Sequence, residues 1–187
     1  LLLFKSQGCV PRTSEMNLLL TLKDIAPLLR EPKPDYDTMA DYMLTATLGL
    51  NEMIAMGVSQ DWATHAIGHE ITALTGIAHG ATLAIVFPAL LRVMIDDKEA
   101  KLVQMGERVF GVTEGTPRER ALKTIDALEA FFASLGLATR LEEAKVDVSV
   151  DQTIVERFKA RKAAIGERGH VTWVEVEKIL ATARPAK

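Results

Sequence analysis

One cysteine, Cys9, is all the thiol in the chain, so no internal disulfide can staple it. Such a chain suits a reducing compartment and is read as cytoplasmic. Aromatic residues make up 5% of the sequence, too few for base-stacking platforms, and 22 Lys plus Arg against 25 Asp plus Glu leave a formal charge of −3. Nucleic acid is therefore not an expected partner. The cluster Arg157-Phe-Lys-Ala-Arg-Lys162 is broken by flanking Glu156 and Glu167 and reads as a solvated helix face. Long apolar runs are missing too. The longest, Leu83 to Leu91, contains Pro88, and the opening Leu-Leu-Leu-Phe falls far short of the roughly 20 residues a membrane span needs. No stretch alternates apolar and polar residues long enough for a sheet, and no GxGxxG turn is present to cradle a dinucleotide.

What is present is helical periodicity. At 187 residues, with no internal repeat or flexible linker, the chain reads as one all-α helical bundle domain. A first helix is expected over Met16 to Leu29, broken by Pro32 and Pro34. Tyr36 to Ala55 repeats Met39, Tyr42, Met43, Ala46, Leu50, Met53 and Ile54 at helical spacing, which predicts one long buried stripe ended by Gly57. Asp61 can cap the next helix, which Gly76 stops, and Ala81 to Met94 forms another with Pro88 inside. Asp97 to Val109 is a shorter, charged helix. Thr116-Pro-Arg-Glu119 and Thr172-Trp-Val-Glu175 read as capping boxes, launching helices to Ser134 and Thr182. Between them, Leu137 to Ser149 reads as a mixed connector in which the alternating Lys145 to Val150 has the pattern for a few extended residues, with a helix over Asp151 to Ala164.

Three of the four histidines, His65, His69 and His79, fall within fifteen residues. At about 100° per residue, His65 and His69 lie one above the other on one helix face. His79 opens the following helix, where its side chain can swing back towards the other two. Imidazoles converging on one cleft suit iron or zinc, whereas a bare i, i+4 histidine pair is also common as ordinary hydrogen-bonded structure. Glu70 points about 100° away from His69 and reads as a surface or supporting residue. Trp62, one turn before His65, either lines a pocket or packs structurally. His170 sits in a Gly-rich turn and reads as a turn or surface residue.

The stretch Gly57-Val-Ser-Gln-Asp-Trp-Ala-Thr-His65, the fourteen-residue spacing to His79 and the wording Leu83-Ala-Ile-Val-Phe-Pro88 resemble the iron-containing alcohol dehydrogenases. The likeness is nearest to their NADPH-dependent aldehyde reductase and butanol dehydrogenase branch. It runs from about Met16 to Arg184, taking in Glu107-Arg-Val-Phe-Gly-Val-Thr-Glu114 and Gly166-Glu-Arg-Gly-His170. The resemblance implies that His65 and His79 bind a catalytic divalent metal, iron or zinc. It also implies that His69 stands near the nicotinamide of NADP or NAD, where it relays a proton or orients a small aldehyde or alcohol.

Members of that family have an amino-terminal nucleotide-binding α/β domain and a carboxyl-terminal helical domain carrying the metal; this chain resembles the second. The family's GGGS-type phosphate turn is not in the sequence. Nor is any histidine upstream of His65, although the family's metal site also takes an aspartate and a histidine from an earlier helix. Residues 1–15 open without Met and fit neither the family pattern nor a clean helix, so they are read as an atypical or truncated leader before a metal-binding domain over 16–187. The expected function is hydride transfer between NAD(P)H and an aldehyde or alcohol, with the chain alone expected to be inactive. The missing nucleotide-binding domain is the implied partner, and a homo-oligomer is left open. The alternative is a non-catalytic helical fragment or interaction module with a weak metal site. A free-standing metal hydrolase fits poorly, since His-x-x-x-His-Glu is not the His-Glu-x-x-His arrangement.

Overall fold

A computed structural model describes residues 12–185, with side chains described from Met16 onward. Among these residues there are eight α-helices and no strand. They are α1 (Arg12–Ile25), α2 (Tyr36–Leu50), α3 (Ala63–Thr75), α4 (His79–Val93), α5 (Ile95–Met105), α6 (Pro117–Ser134), α7 (Val148–Ala160) and α8 (Trp173–Thr182). Ile165 and Val171 form an isolated antiparallel bridge. The all-α expectation holds. Leader residues 1–11 lie outside the described residues.

The bundle is built around α4. This helix buries nine of its fifteen residues, Thr82 and Ala84 to Leu91, as expected for a segment apolar on nearly every side. It packs against α3, α6 and α8, while α5 lies along α6 and α7 along α8. Ile67 and Ile71 from α3, Ile85 and Leu91 from α4, Ile125 from α6 and Ile179 from α8 are wholly enclosed in the shared core. Pro88 sits inside α4 among these buried residues.

Both capping boxes form. Thr116 and Glu119 satisfy each other's backbone N–H groups at the start of α6, and Thr172 and Glu175 do the same for α8. Asp61 accepts from the Ala63 N–H at 2.9 Å, which satisfies an orphan donor of the first turn of α3. Several boundaries differ from expectation. α1 starts at Arg12 and ends at Ile25, with a separate 3-10 turn at Leu28–Arg30. α5 gives way at Gly106 to a π turn, Gly106–Phe110, where Thr124 packs so closely on Gly106 that a Cβ has no room. The short extended run allowed by the pattern at Lys145 to Val150 is instead cut by Asp147, whose carboxylate accepts from Ser149 N–H at 2.8 Å and starts α7. A local side-chain cap outweighs a short alternation.

The buried stripe expected over Tyr36 to Ala55 needs correction. The helix ends at Leu50, and Tyr36, Met39, Tyr42, Met43, Leu50 and Met53 are all exposed. α2 packs chiefly on α1 and two short turns, so its buried positions are Thr38 and Thr45. The α1–α2 hairpin is tied to the bundle through α1 and the turn after it. Lys23 donates to Val109 O at 2.9 Å, and Arg30 donates to Ser134 O at 2.9 Å. Among the described residues no single helix is long and apolar enough to cross a membrane.

Candidate metal centre

Gly76 ends α3 in the left-handed conformation, φ 75°, its N–H donating to Thr72 O at 2.8 Å. That reversal returns the chain within three residues, so His79, the first residue of α4, faces the helix it has just left. The two helices come close at Gly68, whose Cα leaves no room for a side chain. A Cβ there would lie 2.8 Å from Thr82 Oγ1 and 3.1 Å from Leu83 Cδ2. Thr82 is fully buried at this crossing, its hydroxyl 2.7 Å from His79 O and 3.2 Å from Gly68 O.

The close approach brings all three predicted imidazoles together. His69 and His79 stack with centroids 4.0 Å apart and planes 8° from parallel, and His65 stands 5.4 Å from His79. Trp62 meets His65 edge-on at 4.8 Å. Burial, reinforced by the neighbouring imidazoles, holds the His65 pKa below its ordinary value. His79 is lowered by burial and then by His69. Both rings are consequently neutral near pH 7, the form in which imidazole ligates a metal.

His79 Nδ1 is buried and has no hydrogen-bond partner. Leaving such an atom unpaired costs about 1–3 kcal/mol, which a ligand on that nitrogen would relieve. The neutral imidazoles and this orphaned nitrogen fit a divalent cation. They supply part of a site only. Among the described residues no group of three or more His, Cys, Asp or Glu is arranged to hold an ion, and catalytic zinc sites use three protein ligands plus water.

A cavity of about 200 Å³ opens beside His65, walled mainly by Leu83, Ala84, Phe87, Phe132 and Leu137, with Thr64 and Asp61 as polar margins. A smaller cleft of about 60 Å³ on the Trp62 side of His65 is lined by Leu50 and Gln60. Glu70 is no free base. Burial would raise its pKa, but Arg157 at 2.8 Å and Arg161 at 2.7 Å outweigh that and hold the carboxyl below its ordinary range. The basic cluster near α7 therefore gives two of its arginines to α3. His170 lies in the turn before α8, exposed, with Asp97 Oδ2 3.4 Å away. Sequence reasoning missed Gly68 and Thr82, although a glycine inside a helix, costing about 1 kcal/mol against alanine, was a visible sign of close packing.

The Fe-containing alcohol dehydrogenase family, C-terminal, matches this chain over residues 11–184. The chain belongs to that family. Among its relatives is the NADPH-dependent aldehyde reductase YqhD of Escherichia coli strain K12, 40% identical over 174 residues, which are 92% of this chain and 45% of that protein. NADP-dependent alcohol dehydrogenase 3 of Entamoeba histolytica is 35% identical over 146 residues, 78% of this chain and 37% of the relative. The substrate- and cofactor-free form of E. coli YqhD superposes with a TM-score of 0.91 at 37% identity, covering 97% of this chain and 48% of that one. NADH-dependent butanol dehydrogenase A from Thermotoga maritima gives 0.86 at 29% identity, covering 97% and 48%. This iron-family chain thus spans less than half the length of these relatives, in their C-terminal part.

Proposed function

We propose that this iron-family domain serves a metal-dependent interconversion of aldehydes and alcohols, with NADPH or NADH as hydride carrier. The convergence of His65, His69 and His79 on one cleft carries the reading. His65 and His79 offer neutral imidazole lone pairs, kept unprotonated by burial, and the orphaned His79 Nδ1 marks one of them. A divalent cation held there, iron or zinc, would polarise the oxygen of the aldehyde or alcohol. His69, exposed on the outer side of the stack, is placed to orient the substrate or pass a proton at the nicotinamide. The apolar cavity beside His65 takes a short alkyl chain and keeps water from it.

The chain has no Gly-rich phosphate turn and no histidine before His65, so the cofactor and the remaining metal ligands are assigned to a nucleotide-binding domain. The exposed apolar face of α2 is consistent with cover by such a domain. On its own the chain is expected to hold metal weakly and not to turn over. The scarcity of ligands also favours a second reading, a non-catalytic helical module with a weak metal site.

Metal content after purification, by elemental analysis, paired with butyraldehyde-dependent NADPH oxidation, tests the histidine site and the expected inactivity in the wild-type chain and His79→Ala. Metal that is lost in the variant supports the site. Equal metal in both would end the histidine assignment, and turnover by the chain alone would end the expectation of inactivity.

A further inference from the structure

The motif Gly166-Glu-Arg-Gly-His170 has no role in the chemistry above, yet the fold brings it against Asp61, two residues before the helix that carries His65. At the centre is Lys98 of α5, a charged side chain only 5% exposed. Its Nζ lies 2.7 Å from Asp61 Oδ2 and 3.2 Å from Glu167 Oε1, and both carboxylates are themselves largely buried. The other oxygen of Asp61 accepts from Ala63 N–H, the first residue of α3, and Asp61 borders the same cavity as His65.

The turn itself is held on several sides. Ile165 and Val171 exchange backbone hydrogen bonds at 2.9 and 3.1 Å, and Gly169 N–H donates to Gly166 O at 3.1 Å. Gly166, at φ +84°, brings the backbone close to Asp61, whose carboxylate oxygens lie 3.6 and 3.7 Å from the position a Cβ would take. Asp97 faces His170 at 3.4 Å and Arg168 at 4.0 Å from the other side.

We propose that Glu167, Lys98 and Asp61 form a positioning relay that fixes the first turn of α3 and thereby sets where the His65 imidazole points. The inference deepens the metal reading of His65 and rests on it. A packed apolar trio would tie α5 to α3 just as well, since buried ion pairs are weak sources of stability. What the charged trio adds is direction. Lys98 pulls Asp61 into one orientation, in which Oδ1 is left to hold the backbone N–H half a turn before His65, and the negative charge sits at the favourable end of the α3 dipole. Glu167 reaches Lys98 because the two left-handed glycines fold its turn inward.

The test uses the chain as it stands, with Lys98→Met, the milder Glu167→Gln, and Ile179→Val in α8 as a stability control. Cobalt(II) chloride titration, followed by visible absorption, reads the site. The 1H NMR resonance of the His65 ring, assigned with His65→Asn, reads the imidazole directly, because Trp62 at 4.8 Å imposes a ring current on it. In both relay variants the cobalt dissociation constant is expected to rise about tenfold, as for residues that orient metal ligands. The His65 resonance should shift or broaden, with a smaller change at His79, 5.4 Å from it, while that of His69 stays. The control should melt lower and change neither readout. Lower melting with an unchanged His65 resonance in Glu167→Gln would overturn the proposal and leave a plain structural tie. If Lys98→Met does not fold, Glu167→Gln decides. If the wild-type chain takes up no cobalt, the metal reading falls, and the His65 resonance alone then upholds or overturns the relay.

Discussion

Gly68→Ala tests whether the crossing of α3 and α4, beside the histidine cluster, is too close to admit a side chain. Two opposing effects act at this position. Inside an exposed helix the change would stabilise by about 1 kcal/mol, because alanine has the higher helix propensity. Here the new methyl would lie 2.8 Å from Thr82 Oγ1 and 3.1 Å from Leu83 Cδ2, both on α4. Thr82 is fully enclosed and cannot swing into solvent. Either the helices part by some tenths of an ångström or the hydroxyl gives up its carbonyl partners, and overpacking of this kind costs about 1–3 kcal/mol. The net expectation is a loss of about 1 kcal/mol, read as a lower urea midpoint at unchanged slope, or a melting point lower by about 2–4 °C. The double variant Gly68→Ala/Thr82→Ala should recover part of that loss, since the offending oxygen is gone. Gain of about 1 kcal/mol in the single variant would refute the reasoning, because propensity would then be acting unopposed.

Glu70→Gln should destabilise the chain by about 1 kcal/mol at pH 7, since it removes the charge that links α3 to Arg157 and Arg161 across partly exposed pairs. Glu70 has a folded pKa below its ordinary 4.5, so its contribution is whole above that value and disappears as pH falls through the folded one. Denaturation midpoints of variant and wild type should therefore converge in acid; a constant gap down to the lowest pH would contradict the ion-pair account. Met43→Gln and Leu50→Gln on the exposed face of α2 should change stability by no more than about 0.5 kcal/mol, against about 2–5 kcal/mol for Ile71→Ala in the core. The same α2 variants should weaken binding of a hydrophobic dye, and large losses of stability from them would mean that α2 is covered. Thr172→Ala should lower stability by about 1 kcal/mol through loss of the α8 cap, and Thr172→Ser should restore most of it.

What was legible in the sequence follows from the range of the interactions involved. Thr116 with Glu119 and Thr172 with Glu175 act within one helical turn, so their residue types were enough to place the starts of α6 and α8. The imidazole cluster was legible for a related reason: a four-residue spacing fixes His65 beside His69, and Gly76 limits how far His79 can stray. α2 was misread because its apolar spacing reports a helix face but not what covers it; that depends on elements far away in the chain, and the described residues put chiefly α1 and short turns beside it. Lys98 was invisible for the opposite reason. In sequence it is one charge in Asp-Asp-Lys-Glu, the signature of a solvated helix, yet Asp61 lies 37 residues before it and Glu167 lies 69 after. Short-range patterns thus located the histidines, while the contacts that orient them came from pairings no local pattern encodes. The distinction also sets how the site can fail. Under the proposed metal reading, losing a histidine removes a donor, whereas losing a distant partner such as Glu167 leaves every donor in place and alters only where one of them points.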